Sequence, residues 1–574
     1  MTPLTRVLRA GATLAVALVF VFGVAAPPER CPTVTTAELH GSAQAAVDWF
    51  ARNQHADGSW LYDDNADTDR AKPEYNVVRH AGAVEGLYQA AAAGLPRALD
   101  SADRGTEWAR DRLTSRDDWS TIFLGGEIPT GATALLVAGL DIRREATGDR
   151  RYDTLLRRLG RFLVAQTEPS GAVLASYDPI RDRPVPGEYS KYYTGEAYWA
   201  LARLHLTFPH EGWGRVADRI GAYLATKRDD VEDYFPPIED HWAAYGLSST
   251  VLFPERGRPP LTADELHYAR GQAKLFGWET RWISERMGPW GALVRGPHEP
   301  RGGGYGVMGE GLTGLWRTAL RDPRLADLRG PMAERATCMA GLAIDAQSDA
   351  AEAAREKNPS RVEGAWFRDG ETRMDDQQHA LSALLRTQAI VRAGAGSGGA
   401  DDETPAVWLW GLVLVLALNP IRAAFGITGE ARSGSLPLLL GAGALLVVAA
   451  SAVAPPLLDA LDVSDPSFRT GAGIVAVVAG ITDLFRRPPR SGPIPFPLVA
   501  RPALLVLALG AGADRGILPS IVAMAIGIAA VVGLVAAGPA DDERARTLRW
   551  VARLLAAGLI AGGVTLVIHG ILDV

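Results

Sequence analysis

Acidic, histidine and aromatic side chains recur near the start of every second predicted helix in the first 393 residues of this 574-residue chain. The motifs lie at 75–80 (YNVVRH), at Glu127 before 130–132 (TGA), and at 192–196 (YYTGE), 240–242 (DHW), 309–311 (GEG) and 375–379 (DDQQH). Hydrolysis of a glycosidic bond needs two carboxyl groups, one protonated as the acid and one ionised. We predict Glu196 and Asp240 as this catalytic pair. The alternative carboxylates are Glu127, Asp375 and Asp376.

The same motifs allow other interpretations. In a lyase or an epimerase, Tyr193 or His80 would take a proton beside a carboxylate that Arg79 neutralises. Carboxylates in the first turn of a helix also cap it and suit its dipole, so purely structural roles remain open for these acids. The candidates for stacking on sugar faces are the aromatic residues Trp60, Tyr193, Trp242 and Trp366.

An acidic stretch follows the first predicted helix of the polar region. Residues 63–67 (DDNAD) fit a DDxxD pattern for diphosphate-bound magnesium and also resemble a loose calcium loop. The stretch lies in a polar turn between predicted helices, and no DxDD motif accompanies it. We interpret it as a solvated acidic loop, and we predict no metal and no cofactor.

The elements that must position these residues are helices. Apolar residues recur with helical periodicity in segments separated by Gly, Pro and Asp clusters, such as those at 168–171 and 301–304. The predicted helices are 41–54, 76–94, 101–115, 130–148, 151–168, 192–207, 212–228, 240–253, 262–277, 308–321, 329–348 and 375–393. Six hairpins closing on themselves would form an (α/α)6 toroid over 29–393, with the motifs at one mouth. A Gly/Ser/Asp-rich linker follows at 394–404.

The polar region resembles six-hairpin glycosidases over about residues 40–393. The stretches that carry the resemblance are 57–60 (DGSW), 75–82 (YNVVRHAG), 192–197 (YYTGEA) and 373–375 (RMD) with His379. The resemblance implies an (α/α)6 toroid that acts on carbohydrate. It does not select a reaction, because the same toroid serves hydrolases, lyases, epimerases and, in a related form, terpenoid cyclases.

Composition changes near Pro405, where long apolar runs begin. The runs span 406–418, 436–458, 471–485, 496–512, 517–537 and 551–572. A bilayer core requires about 20 mostly apolar residues per helix. The sequence therefore predicts a six-helix membrane domain over 405–574, with the lipid bilayer as its partner.

An apolar segment at 10–26 follows Arg6 and Arg9, which is typical of a secretory signal or signal anchor ending near residue 28. With a cytoplasmic N-terminus, the Arg-rich loops at 422–432, 486–490 and 544–549 all lie inside, as the positive-inside rule requires. Only Arg469 and Arg515 fall on the opposite side. The toroid is therefore predicted to be extracytoplasmic.

The apolar region resembles the MarC family of six-helix membrane proteins, some of which are associated with transport of small neutral amino acids. The motifs are 419–421 (NPI), 467–473 (SFRTGAG), 495–502 (PFPLVARP) and 553–571. Candidate substrate-binding residues follow from these motifs: Asn419, Pro420, Arg422, Pro497, Arg501 and Pro502.

The apolar region departs from the MarC pattern at two arginines. Arg422 and Arg501 stand where the family has glycine. Because an intramembrane arginine usually faces a cavity, we expect an anion-accepting site or a loss of amino acid transport. Snorkelling of Arg422 toward the cytoplasmic end of its helix is the alternative.

Three functions remain open at this point. They are an extracytoplasmic enzyme acting on an envelope carbohydrate, a small-solute transporter with a ligand-capturing toroid, and a non-catalytic binder of an envelope polymer. The net charge of −7 and the absence of a basic stripe predict no nucleic-acid partner. An exported domain permits a disulfide between Cys31 and Cys338, although two separate thiols explain the sequence equally well.

Overall fold

The computed structural model describes residues 3–234, 237–296, 300–394, 407–425, 436–485, 501–537 and 542–573. These residues form two compact units. The toroid unit comprises the described residues within 31–284 and 299–400. The apolar unit comprises those within 1–30, 285–298 and 401–573, so a segment from the middle of the sequence belongs with both ends of the chain.

Each of the twelve predicted segments corresponds to a helix within the first 394 residues, although several ends differ. The helices of this part are α1 (Pro3–Phe20), α2 (Thr36–Arg52), α3 (Val77–Ala92), α4 (Ala98–Arg110), α5 (Thr130–Thr147), α6 (Asp153–Gln166), α7 (Tyr193–Thr207), α8 (Trp213–Thr226), α9 (Arg228–Val231), α10 (His241–Thr250), α11 (Ala263–Arg286), α12 (Pro289–Arg295), α13 (Gly302–Ala319), α14 (Arg329–Asp345), α15 (Ala350–Ala353), α16 (Pro359–Val362) and α17 (Met374–Arg392). A π-helix at Val21–Ala25 and a 3-10 helix at Pro323–Leu328 complete this part.

Six helices of the toroid unit form a closed inner ring. Each of α3, α5, α7, α10, α13 and α17 packs on the next, and α17 packs back on α3. The outer layer comprises α2, α4, α6, α8, α11 and α14, of which α4 covers α3, α8 covers α7, and α14 covers α13. This arrangement is an (α/α)6 toroid. We call its two ends the N-terminal mouth and the C-terminal mouth, after the inner-helix ends found there.

Glycines allow neighbouring inner helices to approach closely. A Cβ on Gly306 of α13 would lie 2.3 Å from the backbone carbonyl carbon of His379 on α17. The run at 301–304, predicted as a separator, instead begins α13 at Gly302. The reason is packing, because a Cβ on Gly302 would lie 2.5 Å from the side chain of Trp366.

Short antiparallel strands join the helices at three places. β1 (Asp63–Asn65) lies between β2 (Arg70–Ala71) and β7 (Glu371–Arg373), while β3 (Leu113–Arg116) pairs with β4 (Trp119–Ile122) and β5 (Tyr177–Asp178) with β6 (Arg183–Pro184). The prediction of helix up to residue 115 is therefore wrong beyond Arg110. A tight reversal at Asp117, where φ is +34°, turns this segment back as a hairpin.

The interpretation of residues 63–67 as a solvated loop is also wrong for its first two residues. Asp63 and Asp64 are buried in β1, 5% and 1% exposed. Lys72 lies 3.1 Å from Asp63, and Arg361 lies 3.1 Å from Asp64. Internal cations thus neutralise the two carboxylates, and Asp64 ties β1 to α16.

The two cysteines form a disulfide. Cys31 is bonded to Cys338 on α14, across 307 positions of the sequence. The start of the toroid unit is therefore covalently joined to an outer helix.

The apolar unit contains the remaining helices. They are α18 (Val407–Leu418), α19 (Pro420–Phe425), α20 (Leu436–Ala460), α21 (Asp465–Phe485), α22 (Pro502–Arg515), α23 (Leu518–Ala536) and α24 (Asp542–Leu572). Among the described residues, five spans are long and apolar enough to cross a membrane: Val407–Ala424, Leu436–Ala460, Asp465–Phe485, Leu518–Ala536 and Glu543–Leu572.

The predicted span at 496–512 is not one of these five. Its helix, α22, has 14 residues and begins at Pro502, and residues 496–500 lie outside the described part of the chain. Proline favours the first helical position and holds the preceding residue, here Arg501, in an extended conformation. The apolar α1 and its π-helical extension also belong to this unit, where the carbonyl of Gly23 accepts a hydrogen bond from Trp290 of α12 at 2.7 Å.

Candidate functional site

Three inner helices bring two histidines and one glutamate together in the toroid. His241 is the first residue of α10, Glu310 lies in the middle of α13, and His379 lies in the second turn of α17. Their nitrogen and oxygen atoms all lie within 4.8 Å of one another. Because about 69 residues separate successive members of the group, only the packing of α10, α13 and α17 brings them together.

The carboxylate of Glu310 lies between the two imidazoles. His379 Nδ1 is 2.7 Å from Glu310 Oε2, and His241 Nε2 is 3.7 Å from the same oxygen. Glu310 is fully buried, the side chain of His241 is 2% exposed, and that of His379 is 14% exposed. His379 is therefore the member of the group that a ligand reaches first.

Burial and charge act differently on the two histidines. Burial lowers the pKa of His241 well below its usual value, and the neighbouring His379 lowers it further. Burial also opposes the charged form of His379, but Glu310, Asp375 and Asp376 outweigh it and raise the pKa of His379. Paired groups with opposite shifts are the usual arrangement of a catalytic acid and base. The two shifts favour the charged form of His379 and the neutral form of His241, which suits His379 to act as the acid and His241 as the base.

Neighbouring residues fix the position of His241. Asp240 caps α10, its Oδ1 accepting the N–H of Ala243 at 2.9 Å, and its backbone N–H donates to Gln272 at 2.8 Å. The Trp242 ring lies 4.5 Å from His241 and 5.7 Å from His379. Neither ring nitrogen of His241 has a hydrogen-bond partner among the residues that the structure describes. The nitrogen nearest Glu310 is thus free for a proton or a ligand.

The predicted pair, Glu196 and Asp240, lies inside packed helix contacts. A Cβ on Gly131 would lie 2.3 Å from Glu196, and one on Gly195 would lie 2.5 Å from Asp240. Asp240 is fully buried and ion-paired with the equally buried Arg228. Burial, followed by the charge of Asp240, raises the pKa of Glu196 well above its usual value. The neutral form of Glu196 is thus favoured, and the pair joins α5, α7 and α10 at a site with little space for a sugar.

His80 lies in an aromatic core. Its ring is 4.1 Å from that of Trp108, and its nitrogens contact the Tyr75 hydroxyl at 2.7 Å and the Gly105 carbonyl at 2.9 Å. Burial lowers its pKa to about 3. His80 therefore stays neutral and fully engaged, whereas its sequence neighbour Arg79 pairs with Asp375 at 3.2 Å.

The other predicted residues divide between the core and the rim. Trp60, Trp242 and Trp366 are each at most 2% exposed. Asp376 accepts the backbone N–H groups of Gly303 and Arg373, both at 3.1 Å, as a capping group does. Half-buried Tyr193 lies against Gly131, and Glu127 is exposed in a turn. Only Asp375, with Arg79, lies near the histidine group and is partly exposed.

Sequence reasoning named the motifs around Glu310 and His379 and placed both at the inner mouth, but did not select these residues or His241 for catalysis. Two histidines and one carboxylate also match the ligand types of zinc and of non-haem iron sites. The same group is thus the set of described residues best suited to hold a metal ion.

In the apolar unit, the two predicted arginines share one carboxylate. Asp483 of α21 lies 3.3 Å from Arg422 and 2.8 Å from Arg501. Asn419 has φ +45° and separates α18 from α19, and Pro420 begins α19. Pro502 begins α22, and Pro497 lies outside the described residues. An internal carboxylate therefore occupies the place where the sequence suggested an external anion.

Arg469, an exception to the predicted loop charges, is also neutralised internally. Its guanidinium lies 2.7 Å from Asp514, and both side chains are 1% exposed. Asp573 provides a second carboxylate to Arg469. This arginine is thus compatible with a buried position.

No family model and no curated protein matches this chain. Among solved structures, it is similar to an alpha-1,6-mannanase from Salegentibacter sp., with a TM-score of 0.43, 13% identity, and coverage of 62% of this chain and 100% of that one. The similarity to a cellobiose 2-epimerase from Spirochaeta thermophila has a TM-score of 0.42 at 13% identity, and it covers 67% of this chain and 98% of that one. The similarity to a D-mannose isomerase has a TM-score of 0.43 at 11% identity, and it covers 62% of this chain and 97% of that one. The closed ring of helices is established by the contacts between the six inner helices of this chain, independently of these similarities.

Proposed function

We propose that the toroid unit is a carbohydrate-active enzyme that transfers protons, as an epimerase, an isomerase or a lyase does. The observation that carries this proposal is the geometry of the His241–Glu310–His379 group, in which Glu310 lies between two imidazoles whose pKa values are shifted in opposite directions. General acid–base catalysis of this kind contributes about 10²–10⁴-fold to a rate.

The chemistry follows from the two protonation states. In an epimerisation or isomerisation next to a carbonyl, a C–H bond breaks and its electrons form the double bond of an enediol. His241 takes the proton from carbon, and His379 donates a proton to the carbonyl oxygen. In an isomerisation, His241 returns the proton to the former carbonyl carbon, while the hydroxyl on the first carbon gives its proton to His379 and becomes the new carbonyl. In an epimerisation, His241 returns the proton to the opposite face of the same carbon after the enediol has turned over, and His379 regains the proton that it gave. Neither cycle needs an oxidant. Glu310 is a positioning residue that stabilises protonated His379.

Glycoside hydrolysis by Glu196 and Asp240 is the alternative from the sequence. The geometry favours it less, because Asp240 is ion-paired with Arg228 and Glu196 lies against Gly131 of the neighbouring helix. Product analysis distinguishes the reactions. The full chain, purified in detergent, is incubated with monosaccharides and envelope oligosaccharides, and the products are separated by chromatography. We expect epimers or isomers of unchanged length that disappear in His379→Asn, whereas shortened chains would contradict the proposal.

Metal-dependent chemistry is a second candidate, because the same three residues have the composition of a metal site. Metal analysis of the purified chain, with activity measured before and after chelation, distinguishes metal-dependent chemistry from acid–base catalysis by the two histidines. A stoichiometric metal whose removal abolishes activity would favour the metal. Activity that survives chelation supports acid–base catalysis.

We further propose that the enzyme is anchored in the cell membrane with its toroid outside, acting on an envelope glycan. The Cys31–Cys338 disulfide supports this location, because disulfides persist in oxidising compartments. The five apolar spans and the predicted signal or anchor at 1–28 also support it. Protection of the two cysteines from a thiol reagent in intact cells, until a reductant is added, is the expected result. Labelling before reduction would contradict it.

A MarC-like transporter remains the alternative for the apolar unit. The break at Asn419 supports it, since carriers place interrupted helices around their substrates. Uptake of small amino acids or anions by liposomes that contain the full chain tests this alternative, with Asp483→Asn as the variant. A toroid that binds envelope polymer without turnover is the third possibility. It predicts that the unmodified chain and the His379→Asn variant both bind glycan and that neither forms a product.

A further inference from the structure

The C-terminal mouth of the ring contains a large cavity that the histidine group does not use. Its volume is about 1090 Å³, at the upper end of the usual range for ligand sites. All six inner helices contribute to its wall near their C-terminal ends, through Gln89, Arg144, Trp199, Ser248, Arg317 and Arg386 among others. The cavity is therefore built by the whole ring.

Arginines predominate among the charged residues of this wall. They are Arg144, Arg203, Arg317, Arg321 and Arg386, whereas the acids are Asp141 and Glu145. Arg203 engages both acids at 2.9 Å, and Arg144 pairs with Asp153 at 2.7 Å. In the part of the chain that the structure describes, no carboxylate lies within 4.0 Å of Arg317, Arg321 or Arg386. The cavity thus has an excess of positive charge.

Helix dipoles do not account for this charge. A cation at the last turn of a helix is favourable, which suits Arg317 near the end of α13, but the effect is confined to that turn. Arg386 lies six residues before the end of α17. Its guanidinium is 3.4 Å from the centre of the buried Tyr245 ring, and its Nε donates to Gln89 at 3.0 Å. Its two terminal nitrogens have no acceptor among the described residues.

The arginines also repel one another. The charge of Arg386, together with partial loss of hydration inside the ring, lowers the pKa of Arg317 to about 10. Arg317 is exposed to the cavity, so its charge is accessible to a ligand. A bound dianion would relieve the repulsion, because guanidinium groups bind phosphate through charge-assisted, bidentate hydrogen bonds.

We propose that the cavity at the C-terminal mouth binds the phosphate group of an organic phosphate monoester, with Arg317 and Arg386 as its principal ligands. Exposed leucines, Leu206, Leu252 and Leu320, line the same cavity and would contact the organic part. The phosphate group has two possible sources, a soluble sugar phosphate and a lipid phosphate. This site is separate from the histidine group, and its existence does not depend on the proposed reaction.

Isothermal titration calorimetry on the full chain in detergent tests the proposal. The probes are inorganic phosphate, glucose 6-phosphate and farnesyl phosphate, with glucose as the neutral control. We expect saturable binding of phosphate probes that Arg317→Gln weakens by about tenfold or more, the loss expected for a charge-assisted hydrogen bond. Tighter binding of farnesyl phosphate indicates a lipid ligand, and tighter binding of glucose 6-phosphate a soluble one.

Arg219→Gln is the matched control, because Arg219 is an exposed arginine on α8 outside the cavity. We expect it to bind phosphate as the unmodified chain does. Arg321→Gln provides a second cavity variant, and circular dichroism verifies that every variant is folded. Absence of phosphate-probe binding up to about 10 mM, or equal binding by the Arg317→Gln and Arg321→Gln variants and the unmodified chain, would overturn the proposal.

Discussion

At one end of the ring a single carboxylate, Glu310, lies between two histidines, whereas at the other end Arg317 and Arg386 face a cavity without a carboxylate partner among the described residues. The first group is neutralised internally and can exchange protons without an external ion. The second has guanidinium groups with no carboxylate within 4.0 Å among the described residues, and we propose that it binds an external anion. The comparison teaches that one ring of helices can support chemistry at one end and binding at the other.

Polar side chains connect the two ends inside the ring. Gln378 lies 3.4 Å from Glu310 and also 3.4 Å from Ser382, and Gln89 donates to Ser382 at 3.2 Å. Gln89 in turn accepts from Arg386 at 3.0 Å. The ring interior is thus polar along its length, and variants on either side separate the two roles.

The largest expected effect is loss of activity at the histidine group. We expect His379→Asn and His241→Asn each to reduce kcat by about 10²–10⁴-fold, because each removes a proton-transfer group. Steady-state kinetics on the substrate identified by product analysis measures the effect. His210→Asn is the matched control, since His210 is an exposed histidine elsewhere in the toroid. Equal activity of His379→Asn and the control would contradict the assignment.

The next effect is on stability. We expect substitutions in the predicted acid pair, Glu196 and Asp240, to change the free energy of unfolding, whereas those at the histidines change activity. Asp240→Asn removes the buried carboxylate partner of Arg228 and leaves it only the partly exposed Asp229 at 3.2 Å, which we expect to cost about 3 kcal/mol of unfolding free energy. Glu196→Gln should cost far less, because burial already favours the neutral form of Glu196 and no cation is ion-paired with this side chain among the described residues. Chemical denaturation measures both. If Glu196→Gln instead abolished activity without changing stability, glycoside hydrolysis by this pair would regain support.

A smaller effect is expected from separating α13 and α17. Gly306→Ala introduces a Cβ 2.3 Å from the backbone of His379, and we expect a cost of about 1–3 kcal/mol and a lower kcat as Glu310 moves away from His379. Gly271→Ala is the control, because Gly271 lies in exposed helix with open space around it. It should be neutral or slightly stabilising. An unchanged kcat in Gly306→Ala would show that the Glu310–His379 contact is dispensable.

The smallest effect is a shift in pH dependence. The proposed reaction requires neutral His241 and protonated His379. On the acid side, activity should fall only well below the usual histidine pKa, where His241 becomes protonated. On the alkaline side, activity should fall above the usual histidine pKa, where His379 loses its proton. Asp375→Asn removes a charge that raises the pKa of His379 and should move the alkaline limb to lower pH. The pH profile of kcat/KM measures this limb, and an unmoved limb would exclude Asp375 from the charge balance.

The same shift has a consequence for stability. Because the folded-state pKa of His379 is raised, its contribution to stability is fully present below the pKa of an unfolded histidine. The contribution is lost as the pH rises through the folded-state value.

Helical periodicity sufficed to predict the twelve helices of the toroid, because amphipathic patterns and turn residues are local signals. The histidine group could not be predicted in this way, since its members approach only when α10, α13 and α17 pack together. The roles of Asp63 and Asp64 depended on Lys72 and Arg361, and charge pairing across the fold has no local signature. In the apolar region, five of the six spans that composition predicted are long enough to cross a membrane among the described residues, and the described helix of the sixth begins at Pro502.

The most direct test of proton transfer is solvent deuterium exchange. The full chain is incubated in D₂O with its sugar substrate, and mass spectrometry follows deuterium in recovered sugar and product after exchangeable hydroxyl deuterium has been washed out. We predict incorporation of carbon-bound deuterium that is lost in His241→Asn and retained in His210→Asn. Turnover to product without carbon-bound deuterium would contradict the account.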